Sequence, residues 1–317
     1  MSVTIGGTAD ALNLHQRIYS KNINQTLRQG LVLENKMSPV QADRVYTEPN
    51  VAINDIIQAF QCQFTPKGDA VFNAVDNWLQ PMKIDIQFAC ADLETFRDSW
   101  MAEWVEDGKS RTEWSLPRYI YEEVVLPKAI EELELKISYK GVYVAPTAGT
   151  PGLTVNAVDG LGTKIAAAIT AGLLTPIATG ALVAATMREQ VETMLDAIPI
   201  PFRDLPGEIY MSPTRARQYA RDYRSEFFTA PGLQVNETAK LTVDYTNKTI
   251  VPIPAMEGSN RIIVAPKNSL IVGYKKGTPR MPMIRWQEQD RVLKGLAEFD
   301  RFYGVRYWGN IFVNDQA

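Results

Sequence analysis

Few side chains in this 317-residue chain are of the types that make and break bonds, and their spacing limits what they can do. A single histidine, His15, lies near the N-terminus, so any Ser-His-Asp or Cys-His site would have to draw on that segment. A surface position is the expectation for it. The two cysteines, Cys62 and Cys90, are too few for a disulfide framework and lack metal-ligand spacing. They read as core thiols on the inward faces of two strands. The stretch Gly160-Leu-Gly162-Thr-Lys164 has the flavour of a phosphate loop. That motif, however, needs four residues between its glycines and a lysine directly after the second. The stretch is read instead as a loop that opens a helix over 165–171. Glu122, Glu123, Glu131, Glu132 and Glu134 could offer paired carboxylates for acid–base work. Nothing basic or aromatic in the sequence converges on them, so a solvated or salt-bridged face is the reading. Arg301-Phe-Tyr-Gly-Val-Arg-Tyr-Trp308 mixes aromatic and basic residues as single-stranded nucleic-acid sites do, but sheet packing explains it better. No enzyme motif survives, and neither a cofactor nor a metal site is expected.

Longer elements must position these groups, and the most prominent is 117–144, a long helix that runs into a short apolar strand. Ser115 can cap the first turn, and Pro117 sits where a backbone N–H has no helical partner. Ile120, Val124, Pro127, Ile130, Leu133 and Ile137 recur at three- and four-residue steps and make one apolar stripe. Pro127 is expected to kink the helix without ending it. About 22 helical residues span roughly 33 Å, the width of a small domain. That is the geometry of a strut.

Upstream, residues 1 to about 50 hold one modest helical pattern over 10–34, thin in apolar content, which reads as an arm lying on something else. Over 51–90 the period shortens to two. Phe60, Cys62 and Phe64 alternate with glutamines, and Ile84, Ile86 and Phe88 alternate with Lys83, Asp85 and Gln87. This predicts two half-buried strands of a long hairpin, with Pro66-Lys67-Gly68-Asp69 as turn chemistry near its tip. The connection carries Phe72, Val75, Trp78 and Leu79, which are expected to cover a neighbour because so long an excursion does not pack on its own base. A helix over 93–105 follows, with Phe96, Trp100, Met101 and Trp104 on one side. Beyond a flexible boundary at 146–152, helices are predicted over 183–198 and 213–228. Strands are predicted over 208–211, 241–245, 249–253 and 262–265. Strands over 270–274, 283–287 and 302–313 close the chain. There is no sustained parallel-sheet rhythm, so the fold class is α+β.

Composition is that of an ordinary soluble globular protein, 45% apolar and 22% charged, and the length suits about two domains. No run approaches the ~18 apolar residues that span a bilayer, and no basic flank precedes a hydrophobic block at the N-terminus. A reduced, intracellular compartment is the simplest setting. The net charge of −3 hides a polarity along the chain. Residues 92–134 hold twelve acids against five basic residues, and 261–306 hold ten basic residues against four acids. Such segregation points to two surfaces that meet, within a subunit or between neighbours.

The order of parts resembles the major capsid protein of tailed bacteriophages, the Hong Kong 97-type fold, over nearly the whole chain. The pieces that carry the resemblance are Ile209-Tyr-Met-Ser-Pro213 before a helix, Ile263-Val-Ala-Pro-Lys-Asn-Ser-Leu-Ile-Val-Gly-Tyr274, and the closing Phe299-Asp-Arg-Phe-Tyr-Gly-Val-Arg306. The resemblance implies an N-terminal arm (1–50), an extended loop (51–91) that laps over the adjacent subunit, and two domains. These are a peripheral domain (92–145 with 283–317), whose spine is the long helix, and an axial domain (146–282). It implies self-assembly through pentamers and hexamers into an icosahedral shell around double-stranded DNA, in a virion assembled in the bacterial cytoplasm. Portal and minor or decoration proteins would be partners, the packaged DNA would be contacted non-specifically, and no membrane is involved. The short arm implies no internal scaffolding segment. Some relatives form Lys–Asn crosslinks; Lys67 lies near the hairpin tip, but no asparagine can be matched and no such chemistry is assigned. The expected assembly interface comprises Lys67, Phe72, Val75, Trp78, Leu79, Glu122, Glu123, Glu131, Arg280, Arg285 and Arg291. Three alternatives stand: an encapsulin-type compartment with enzyme cargo, another phage structural protein such as a tail-tube subunit, and an α+β enzyme at 153–282.

Overall fold

The longest of the described strands is built on a period of two. Leu293, Gly295, Ala297 and Phe299 turn inward, while Leu296 and Glu298 stay exposed. In the computed structural model this strand runs over Val292–Val305. The structure describes residues 8–19, 30–53, 55–68, 70–89, 91, 95, 119–227, 242–244, 246–278, 280, 283–289 and 292–316. In chain order the strands are β1 (Ser38–Ala42), β2 (Val45–Ile53), β3 (Ala70–Trp78), β4 (Gln80–Ala89), β5 (Gly207–Met211), β6 (Lys248–Pro252), β7 (Ile263–Pro266), β8 (Leu270–Lys275), β9 (Arg285–Gln289), β10 (Val292–Val305) and β11 (Phe312–Val313).

β10 is the axis of a mixed five-stranded sheet ordered β1-β8-β10-β4, with β9 also paired to β10. Only β1 and β8 run parallel there. A second sheet, β11-β7-β5-β6, pairs β5 with β6 in parallel and the rest antiparallel. β2 and β3 form a separate antiparallel ribbon. The class is α+β.

The helices are α1 (Thr8–Ile18), α2 (Val32–Lys36), a spine made of Tyr119–Val125, Leu126–Glu131 and Glu132–Ile137, then α3 (Leu161–Thr170), α4 (Met187–Asp196) and α5 (Pro213–Phe227). The spine is α-helical only in its middle; both flanking segments are π-helical. Pro127 has no N–H to donate, and its ring needs room at the carbonyl four residues back, which wider turns provide. Ile120, Val125, Leu126, Leu133 and Ile137 pack the spine into the main core with the five-stranded sheet and α3. A second core joins α4 and α5 to the other sheet through Met187, Val191, Met194, Ile209, Met211, Tyr219 and Val264.

The end of the spine and the start of α3 are spliced together. The amides of Leu161, Gly162 and Gly160 donate to the carbonyls of Ser138, Tyr139 and Gly141, each at 2.9 Å. Each helix end thereby satisfies backbone groups the other leaves free. Glycine is required at the junction, because a Cβ on Gly160 would lie 2.5 Å from the Tyr139 carbonyl oxygen. The phosphate-like glycines thus serve helix packing, and their amides are already engaged.

Several expectations need correction. The strand expected over 60–64 does not form; 55–68 is an exposed connection, and β4 pairs with β10 instead. Alternation tells which face a side chain takes, not which strand it will pair with. Cys62 is consequently exposed rather than a core thiol; Cys90 and most of the expected 93–105 helix lie outside the described residues. No strand follows the spine, although the amides of Val142 and Val144 donate to Val155 and Asn156 at 2.9 and 3.1 Å. Over 242–244 a single bridge, Thr242 to Thr249, replaces the expected strand. His15 is buried, with Nε2 3.2 Å from Glu122 Oε1. The arm's α1 lies on this chain's own β9, where Asn13 bonds both the amide (3.0 Å) and the carbonyl (3.1 Å) of Trp286. No described helix is long and apolar enough to cross a membrane.

Candidate assembly surface

The β2–β3 ribbon joins nine residues to nine, so it reaches about 30 Å at 3.4 Å per residue. Its register opposes Val45 to Trp78, Thr47 to Asp76 and Val51 to Phe72, which places these pairs on one face. That face is open: Phe72 is 74% exposed and Trp78 49%, with Val45 and Val51 also exposed. Thr47 Oγ1 donates to Asp76 Oδ1 at 2.6 Å between them, and the Arg44 guanidinium stands 5.6 Å over the Trp78 ring. Beyond the strands, Ile56, Ile57, Phe60 and Phe64 are exposed as well. Lys67 Nζ donates to the Ile57 carbonyl (2.8 Å) and Gln58 Nε2 to the Thr65 carbonyl (2.7 Å), closing the tip.

The other face of the ribbon turns onto the body. Tyr46 stacks on Phe302 with ring centroids 5.9 Å apart, and Val75 packs against the main core. Leu79 covers the small cluster of Ala42, Ile271 and Phe302. Val75 and Leu79, expected to be covered by a neighbour, are therefore packed within the subunit, because the ribbon's base lies flat on β10. Between them sit Glu48 and Asn77, both buried, with Asn77 Nδ2 donating to Glu48 Oε1 at 2.6 Å. Burial pushes the Glu48 carboxyl up to about 7, against the opposing effects of the Asn77 hydrogen bond and the nearby Val305 backbone.

A second buried polar group holds the arm, and nothing in the local sequence announces it. Glu34 on α2 is fully enclosed and receives the Arg301 guanidinium, the Tyr303 hydroxyl at 2.7 Å and the Tyr274 hydroxyl at 3.2 Å. Arg301 also donates to the Arg280 carbonyl at 3.0 Å. One residue away, the Leu33 amide donates to Glu134 of the spine at 3.1 Å. Burial, with Glu34 close by, pushes Glu134 up to about 7. Only the fold brings Glu34 and Arg301 together across 267 residues.

Among the described residues, the acidic and basic stretches do not form one site. Glu122 faces His15, Glu131 pairs with Lys128 at 3.0 Å, and Glu132 pairs with Lys136 at 3.2 Å; Glu123 is exposed. Arg280 lies 5.4 Å over the Tyr274 ring and Arg285 is exposed on β9, while Arg291 lies outside the described residues. Among the described residues, no group of three or more metal-ligand side chains converges.

No protein-family model matches the sequence, and no curated protein matches it. Solved structures do. A chain of the satellite phage P4 procapsid that includes size determination (Sid) protein aligns with a TM-score of 0.60 at 11% identity. That match covers 93% of this chain and 90% of that one. The capsid of an empty GTA particle aligns at 0.52 and 14% identity over 90% and 89%. A structure of Gordonia phage Cozz aligns at 0.50 and 11% identity over 90% and 85%.

Proposed function

Because the chain has the fold of phage capsid proteins, we propose that it is the major capsid protein of a tailed phage, self-assembling into an icosahedral shell around double-stranded DNA. The observation that carries this reading is the β2–β3 ribbon, about 30 Å long, whose own subunit leaves open the face that bears the apolar pairs Val45–Trp78 and Val51–Phe72. A soluble subunit gains nothing from exposing Phe72 and Trp78 on one face of the ribbon, whereas a neighbouring copy that covers them turns the exposure into association energy. The assembly surface consists of Phe72 and Trp78 with Lys67 at the tip, together with Glu122, Glu123 and Glu131 on the spine. Arg280, Arg285 and Arg291 complete it on the basic stretch. Val75 and Leu79 support the ribbon from beneath.

The division into arm (1–50), extended loop (51–91), peripheral domain (92–145 with 283–317) and axial domain (146–282) belongs to the same proposal. So do the virion location and the portal, minor-protein and DNA partners. In strand terms the projecting element spans β2 to β3, and β4 returns to the body sheet. The competing reading, an encapsulin-type compartment, shares the subunit architecture and differs in contents. Purified particles imaged by negative stain and treated with nuclease decide the matter. Closed shells holding nuclease-protected DNA support the phage reading, a co-purified enzyme supports the compartment, and a monomer at high concentration in all salts refutes both.

A further inference from the structure

Glu48 is an unusual residue to find at the base of a projecting ribbon. It is fully buried on β2, at the point where the ribbon leaves the body. Oε1 accepts from Asn77 Nδ2 at 2.6 Å, and Oε2 is enclosed without a hydrogen-bond partner among the described residues. The surroundings hold little that could compensate a charge. β3 contributes the Asn77 amide, and β10 contributes Gly304, where a Cβ would come within 2.9 Å of Oε1. The Val305 amide and the Trp308 indole lie close, yet Trp308 Nε1 is itself buried without a well-formed bond. Among the described residues, the cation whose field reaches the carboxyl is Lys164 of α3, which already sits 3.7 Å from Asp159. A buried carboxylate with one oxygen unsatisfied is costly, whereas a neutral carboxyl in the same place is not.

We propose that Glu48 is a proton-operated latch for the ribbon: protonated, it keeps the ribbon's base seated on β10, and ionised, it favours release of that base so that the ribbon can swing. The ribbon's role as the surface that meets the next copy rests on the function proposed above; the latch itself is a property of the single subunit. The direction follows from burial. The seated form holds its proton up to about pH 7, while a released, solvated glutamate has an ordinary value near 4.5. Release is therefore least favourable below pH 4.5, becomes easier as pH rises, and levels off above pH 7. The difference corresponds to at most about 300-fold in the opening equilibrium.

The test is residue-resolved hydrogen exchange on the full-length chain kept below its assembly concentration, from pH 5 to 8.5, read as protection factors. Amides at 45–50 and 73–78 should lose protection by one to two orders of magnitude as pH rises to 7, then stay level. Glu48→Gln keeps the shape and the Asn77 bond but cannot ionise, so its ribbon amides should stay protected throughout. The Leu33 amide, bonded to Glu134, should behave alike in both proteins. Should Glu48→Gln fail to fold, Lys164→Met reads the same group, since loss of that cation should move the plateau to higher pH. Flat protection in the wild-type chain, a slope that persists in Glu48→Gln, or an unmoved plateau in Lys164→Met overturns the latch. Shell formation is scored separately, so a chain that shows the slope but never assembles refutes the proposed function and leaves the latch standing.

Discussion

Replacing Phe72 and Trp78 together by threonine tests whether the ribbon's open face is a docking surface. Threonine keeps the β-branched preference for strand while removing the rings. Full burial of a large apolar side chain is worth about 1.5–3 kcal/mol. With 74% of Phe72 and 49% of Trp78 still open to water, covering both contributes about 2–4 kcal/mol per contact. Losing that weakens pairwise association about 30- to 800-fold, and a closed shell feels the loss at every repeated contact. Light scattering and sedimentation across a concentration series should therefore show the double variant assembling only at much higher concentration. Its unfolding midpoint should stay close to wild type, because neither ring supports the subunit's own core. Shells at the wild-type threshold, or a subunit that unfolds, would refute the reasoning.

Arg301→Met strands Glu34 in the core without its cation and should cost about 3–5 kcal/mol in chemical denaturation; a loss under about 1 kcal/mol would mean the staple is unimportant. Gly160→Ala drives a methyl into the Tyr139 carbonyl and should cost about 1–3 kcal/mol, while Gly152→Ala, with open space around it, should leave the melting curve unchanged. Glu134 holds its proton up to about 7 in the folded chain against an ordinary 4.5, so folding is favoured below 4.5 and loses stability as pH rises to 7. That loss amounts to at most about 3 kcal/mol. Urea unfolding at pH 5 and 7.5 should show a smaller difference in Glu134→Gln, which keeps an acceptor for the Leu33 amide. Arg285→Glu should weaken association at low salt and match wild type near 1 M, where screening shortens to about 3 Å; equal assembly at low salt would remove this residue from the interface.

The parts of the fold legible in the sequence are those whose signal is local. α4, α5 and β5 to β8 lie close to where their local patterns put them: the two helices turn one apolar stripe into one core, while β5, β7 and β8 are short apolar runs whose alternate residues are buried in different cores. The first half of β10 escaped because its inward positions include Gly295 and Ala297, too small to register as an apolar stripe. The structure shows why Gly295 is small: a Cβ there would lie 2.9 Å from the Trp286 ring. Phe60, Cys62 and Phe64 misled in the opposite sense, alternating like a strand while standing exposed. Of the docking face, Phe72 and Trp78 were visible as apolar residues in an excursion, but which neighbours they leave uncovered depends on the register of β2 with β3. Nothing local in the sequence marks Glu48, Glu34 and Arg301 as interior charges, and only contacts remote in sequence make them so.

The bond between Glu34 and Arg301 also orders events in time. During synthesis, α2 emerges early and has to wait for almost the entire remaining chain before its carboxylate meets a cation and two phenols. Long-range closure of this kind is slow and comes late in folding. A chain that stops short of residue 301 also lacks the C-terminal half of β10, on which the ribbon's base is seated. Such a fragment holds a buried acid it cannot neutralise and a ribbon it cannot anchor. Completion of the polypeptide thus becomes a condition for competence, and prematurely terminated copies are sorted out by their own instability before they can poison a lattice of identical units.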